Sequence, residues 1–110
     1  MLATNIKNLP EGEYMTEHGY SQSYPWKVIA RTPATATLAR VHVERDPEWQ
    51  PEFHPGGFAA HCSNQSDQTW LFGRLDEADT ITVRKTKYGW RRKGVGFTEQ
   101  MARHFYDYNF

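Results

Sequence analysis

Side chains able to do chemistry gather in one stretch, Arg45 to Phe72, which carries His54, His61 and the single cysteine, Cys62. His42 lies on the segment leading in. Zinc takes nitrogen and sulfur ligands tetrahedrally, so these four residues are the metal set to weigh. Adjacent His61 and Cys62 point to opposite faces of an extended chain, and no C-x-x-C or H-x-x-x-H spacing is present. Loop histidines beside a buried structural cysteine explain the same residues, and no metal or other cofactor is expected. Cys62 with His54, His61 or His104, and Asn64 as orienter, has the residue types of a Cys-His-Asn nucleophilic site. Nothing around Cys62 matches a nucleophile signature, and a cysteine at an apolar strand end is usually inert. Glu44, Asp46, Glu48 and Glu52 supply carboxylates. They are sequence neighbours separated by prolines rather than groups converging from separate elements, which reads as a solvated acidic loop. No catalytic residue is assigned, and an enzyme is not expected.

A second cluster has a different chemistry. Arg84, Lys85, Lys87, Arg91, Arg92 and Lys93 fall within ten residues, interleaved with Tyr88 and Trp90. On a hairpin, such a set offers cations to phosphates and rings to bases. The bland alternative turns the rings inward and pairs the charges with the acidic loop. Trp49 and Phe53, on the long loop, are further candidate aromatic anchors for a partner.

Charge is balanced at 13 basic and 13 acidic residues, but unevenly placed. Residues 1–80 hold 6 basic and 11 acidic side chains, whereas residues 81–110 hold 7 and 2, so opposed patches either pair internally or face a partner. One cysteine excludes an intramolecular disulfide and fits a reducing cytoplasm. The N-terminus lacks the apolar core of a signal peptide, and no apolar run approaches a membrane span. At 110 residues a single domain is expected.

The elements that must position these groups read mostly as strands. Residues 1–12 end in a turn signal and are expected to pack loosely. Glu13–Thr16 forms a short strand. Tyr24–Thr32 alternates, with Tyr24, Trp26, Val28 and Ala30 on one face. Thr35–Glu44 follows after a short turn, with Thr37, Ala39, Val41 and Val43 on one face, which makes an antiparallel hairpin. The loop from Arg45 to Gln68 is too long to be a simple connector, and its prolines exclude helix. His54-Pro55-Gly56-Gly57 bends sharply, and Phe58–Cys62 is placed to re-enter the sheet. Ser63, Asn64, Gln65, Gln68 and Thr69 read as a polar network, with Asn64 and Gln65 as struts of the loop. Thr69–Phe72 is a strand, Gly73–Asp79 an acidic turn, and Ile81 and Val83 face inward on the next strand, with Thr80, Thr82 and Arg84 outward. Trp90–Lys93 returns after the Lys87-Tyr88-Gly89 turn as the last strand, and Gly94–Gly96 is expected to end the sheet. Thr98 reads as an N-cap, and Met101, Ala102, Phe105 and Tyr106 form a stripe at helical spacing, predicting a helix over 98–107. Tyr108 and Phe110 extend that apolar contact. The fold expected is a mainly β (α+β) domain: a small bent antiparallel sheet or SH3-like barrel of five or six strands, with one C-terminal helix. A flatter α+β sheet is the alternative.

Three groups of motifs carry a resemblance. They are Gly19-Tyr20-Ser21 through Tyr24-Pro25-Trp26; then Glu44-Arg45-Asp46-Pro47 with Pro55-Gly56-Gly57-Phe58 and His61-Cys62-Ser63-Asn64-Gln65 before Gln68 and Trp70; and Ala102 through Phe110. In these the chain resembles a group of small uncharacterised proteins from bacteriophages and mobile elements. The resemblance implies an accessory role in a host cytoplasm. Its most specific form is antidefence inhibition of a CRISPR-type effector by protein contact; nucleic-acid binding is the alternative. It implies no catalytic residue.

Overall fold

The computed structural model describes residues 2–56 and 59–109. Strand makes up 61% of the chain and helix 3%, so the protein is mainly β. Seven strands form one mixed sheet in the order β2 (Ile6–Lys7), β8 (Trp70–Thr86), β5 (Thr35–Arg45), β4 (Ser23–Arg31), β3 (Tyr14–His18), β10 (Val95–Glu99) and β9 (Gly89–Arg92). The end of β8 also pairs with β9, so the order of pairing returns to β8. Only the β2–β8 pair of this sheet is parallel. Two small ladders stand apart: β1 (Ala3–Thr4) runs parallel to β11 (Met101–Ala102), and β6 (Phe53–Gly56) pairs antiparallel with β7 (Ala59–Cys62). The Arg45–Gln68 loop thus contains a hairpin of its own. Gly57 and Phe58, expected in its bend and re-entry, lie outside the described residues, as does Phe110.

Strand β5 is central and buried on both faces, which a single inward set does not anticipate. Ala36 and Leu38 join Met15, Trp26, Val83, Trp90 and Phe97 in one core. Val41 belongs to a second core with Ile6, Tyr14 and Ala102, against which Val43, Phe72 and Leu75 pack. Bulges explain the other departures from simple alternation. In β4 the register shifts between Val28 and Ala30, leaving Ile29 and Ala30 exposed and carrying Arg31 over the Trp90 ring at 5.3 Å. Opposite β5, the register jumps from Thr80 to Asp76 while β5 advances one residue, from Ala39 to Arg40. The acidic Gly73–Asp79 segment is therefore no turn. It is part of β8, and its extra residues leave the ladder without reversing the chain. Gly73 sits at the next irregularity, where a Cβ would lie 2.8 Å from the His42 carbonyl oxygen.

The sheet does not end at Gly94–Gly96, because Val95–Glu99 is β10 between β9 and β3, and the helix expected over 98–107 does not form. Gln100, at φ 55°, ends β10, and the chain then runs extended. A ten-residue helix is marginal in water. Most residues after Ala102 are aromatic, His, Asn or Asp, which favour helix weakly. Other partners take the tail's peptide groups. Asn5 bonds both sides of His104, with Nδ2 donating to its carbonyl at 2.7 Å and Oδ1 accepting its N–H at 3.0 Å. Gln68 treats Tyr106 the same way, at 3.0 and 2.8 Å. Phe105 bridges Ser23, and Gln65 Oε1 accepts the Tyr108 N–H at 2.9 Å. Asn109 in turn holds the Cys62 N–H and carbonyl at 2.8 and 3.0 Å. The N-terminal segment, expected to be loose, is tied in by these bonds and by Ile6, which is buried.

Gln68 is buried, and its amide also bonds the Gln65 carbonyl and the Trp70 indole N–H. Gln68→Ala strands several of these groups, and chemical denaturation is expected to show a loss of about 3 kcal/mol. The His104 ring stands edge-on to Trp70, centroids 4.4 Å apart, and burial pushes its pKa from 6.5 down to about 4. The unfolded chain takes up this proton below about pH 6.5 and the folded chain only near pH 4, so stability falls as the pH drops through that window. Denaturation midpoints measured across it should decline, and His104→Phe should flatten the decline.

Candidate functional site

The cationic cluster lies on two consecutive tight hairpins. Lys87–Tyr88 links β8 to β9, closed by the Thr86–Gly89 pair. The Thr86 hydroxyl accepts the Tyr88 N–H at 3.1 Å and donates to the Gly89 carbonyl at 2.8 Å. Lys93–Gly94 links β9 to β10. Both residues have positive φ, 50° and 81°, the backbone of the turn that matches strand twist in two-residue hairpins. Alternation along β8 puts Thr82, Arg84 and Thr86 on one face, with Val83 and Lys85 on the other. Arg91 stands directly opposite Arg84 in the ladder, on that same face.

The two tryptophans expected as anchors are inside. Trp90, 3% exposed, is part of the first core, because alternation on β9 turns it away from Arg91. Trp49, 8% exposed, lies against Tyr108 with ring centroids 5.5 Å apart. Neither presents a ring to a partner. Tyr88 is 72% exposed at the hairpin tip, with Lys87 Nζ 5.1 Å from its ring centroid, and Phe53 is half-exposed against Tyr108.

Among the described residues, Arg84, Lys85, Lys87, Arg91, Arg92 and Lys93 form no ion pair. Two carboxylates of the acidic loop are neutralised elsewhere, Lys7 taking Asp46 at 2.8 Å and Glu48 at 2.7 Å, while Glu44 and Glu52 are exposed. Lys85 stands somewhat apart. It helps hold the Glu99 carboxyl low, after the larger effects of Arg31 and of the Trp90 indole, whose N–H faces that carboxylate without reaching hydrogen-bond geometry. Arg91 Nη1 donates to the Gly94 carbonyl at 3.2 Å. Like charges directly opposite in a ladder repel, so the Arg84–Arg91 pair contributes nothing to the fold as charge.

The other constellations are dispersed. Cys62 is buried, and its thiol faces Asn64 Oδ1 at 3.5 Å. Asn64 is committed to the loop, accepting the Glu52 N–H and donating to the Gln50 carbonyl, both at 2.8 Å, as a strut does. Gln65 braces the tail instead. His54 bonds the Ser63 hydroxyl at 2.9 Å, His42 faces Asp76 at 3.2 Å, and His104 is in the tail. His54 and His61 are cross-strand neighbours in the β6–β7 hairpin, but among the described residues no three His, Cys, Asp or Glu side chains converge on a metal position. Asp46 is a structural carboxylate. The Lys7 ammonium, the Thr69 hydroxyl and the Glu48 N–H hold its pKa down to about 2. Thr82 and Thr86 stand on the face of Arg84, where they continue the outward alternation of Thr80, Thr82 and Arg84 that the sequence predicts.

No protein-family model, curated protein or solved structure matches the chain. Among the described residues no helix is long and apolar enough to cross a membrane.

The two rings of the hairpin should respond oppositely to truncation. Trp90→Ala empties part of the core and is expected to cost about 3–5 kcal/mol. Tyr88→Ala should stay within about 0.5 kcal/mol of the parent in the same denaturation experiment.

Proposed function

We propose that this chain is a non-enzymatic binding module that meets nucleic acid through the hairpin face of Arg84, Lys87, Tyr88, Arg91, Arg92 and Lys93. The observation that carries this reading is the absence of ion pairs to these cations among the described residues, while Lys7 takes Asp46 and Glu48 at the other end of β8. Cations left to solvent can release counterions from phosphates, and one exposed ring at the tip can stack on a base. Trp90 takes no part in that contact. The pairing of β9 back to β8 supports reading the sheet as a small SH3-like barrel, a form suited to presenting such loops. A cytoplasmic location accords with the single unpaired cysteine.

A second reading rests on a different surface. Phe53 and Tyr106 are each about half-exposed, 48% and 47%, and both rings lean on Tyr108. Exposed aromatics dominate protein interfaces. This patch suits the antidefence role that the resemblance implies, inhibition of a host effector by protein contact.

Salt titration separates the readings. Affinity for oligonucleotides should fall steeply with salt, and Lys87→Ala or Arg91→Ala should each reduce the slope of log K against log salt by about 0.7–0.9. Binding that is absent, or indifferent to salt, would end the nucleic-acid reading. Loss of effector inhibition in Phe53→Ser, with Lys87→Ala fully active, would favour the second.

A further inference from the structure

Thr82, Arg84, Thr86, Arg91, Arg92 and Lys93 line a shallow concavity of about 420 Å³ on the outer side of the β8–β9 ladder, with Val83 contributing to its floor. Among the described residues no carboxylate lines it. Arg84 and Arg91 are held opposite one another by the ladder itself, and Thr86 is fixed by its bonds to the tip. Cross-strand Cβ atoms stand about 4.5–5.5 Å apart, so two guanidinium groups springing from such a pair can converge on one tetrahedral anion once Arg91 turns from the Gly94 carbonyl it bonds. Arg92 and Lys93 close one end. The backbone that holds these cations together is paid for elsewhere in the sheet, so their mutual repulsion is tolerated rather than relieved.

We infer that this concavity is a phosphate-binding subsite, with Arg84 and Arg91 as a fork and the Thr82 hydroxyl as a further donor. The inference rests on the binding reading above and deepens it: the subsite seats one phosphodiester of the strand, while Tyr88 lies in the turn beyond the end of β8. Arg84 and Thr86, the last residue of β8, are two strand steps apart, roughly 7 Å at about 3.3 Å per residue, and the turn carries Tyr88 further, so ring and fork address different nucleotides. The ligand chemistry is a phosphate oxyanion, whether free or within a nucleic-acid backbone.

The test uses the whole chain and two probes, inorganic phosphate and a short oligothymidylate. NMR titration with millimolar phosphate should shift the Arg84 and Arg91 side-chain N–H signals and the Thr82 amide, leaving Lys7 and Arg31 unmoved. Arg84→Glu replaces the repulsive cross-strand pair with an attractive one, so the fold should melt at the same temperature or higher while the phosphate shifts disappear. The same variant should weaken oligothymidylate binding at least tenfold and lower its salt slope by more than the roughly 0.7 expected for one lost phosphate contact. Thr82→Val should weaken phosphate binding without changing the melting temperature greatly, and Lys87→Ala should leave the phosphate shifts intact. Phosphate shifts spread over unrelated surface lysines, or persisting in Arg84→Glu, overturn the subsite. Oligonucleotide binding with an unchanged salt slope in Arg84→Glu also overturns it, and leaves the broader reading standing. Site-specific phosphate shifts without oligonucleotide binding support the subsite and assign it to a free phosphate, which ends the nucleic-acid reading alone.

Discussion

Peptide groups taken out of water need hydrogen bonds, and the last residues of this chain obtain theirs from side-chain amides. Asn5, Gln68 and Asn109 each offer a carbonyl and an NH₂ to both the N–H and the C=O of a single residue: His104, Tyr106 and Cys62 respectively. An amide used this way stands in for a neighbouring strand. It lets a tail too short and too aromatic for a helix run extended beside the sheet. Because Asn5 is N-terminal, Gln68 ends the long loop and Asn109 is in the tail, the same bonds join three distant parts of the sequence. Without them, the second core would lose its cover and the β6–β7 hairpin its attachment at Cys62.

That arrangement leaves the opposite end of the sheet less encumbered. The first core needs Trp90, Phe97 and Val83 from the strands of the cationic hairpins, and so pins those strands firmly. What projects outward is then positioned by strand geometry alone. The ladder sets Arg84 against Arg91, and two tight turns hold Tyr88 and Lys93 at its ends. A rigid platform of this kind spends little conformational freedom on binding, which is where flexible cationic segments lose affinity. The fold thus separates its tasks: amide bonds fasten the tail and loop, and the hairpins hold charge.

Much of the sheet was legible because its signals are local. The Tyr24–Thr32 and Thr35–Glu44 hairpin follows from alternation and a short turn, and the end of β8, β9 and their tip follow from Ile81, Val83 and the Gly89 turn. Other segments carry a pattern that has two physical readings. Met101, Ala102, Phe105 and Tyr106 repeat at helical spacing, yet Ala102 enters the second core from an extended chain because Asn5 and Gln68 satisfy its surroundings. The acidic Gly73–Asp79 segment has turn composition, yet a bulge accommodates it within β8. Trp49 and Trp90 look like anchors by residue type, and whether a ring faces inward depends on strand parity and on what lies above it.

The amino-acid order by itself determined the β character, the Thr32–Ala34 and Lys87–Gly89 turns and the crowding of six cations within ten residues, since these depend on neighbours in sequence. Only the folded chain decided that Trp90 is sealed in the core while Tyr88 stands out, that Lys7 satisfies Asp46 and Glu48, and that Asn5 and Gln68 bind a tail dozens of residues away. Those outcomes come from contacts between remote segments. Their energies depend on burial and on which polar groups lose water, quantities that no local window of sequence contains.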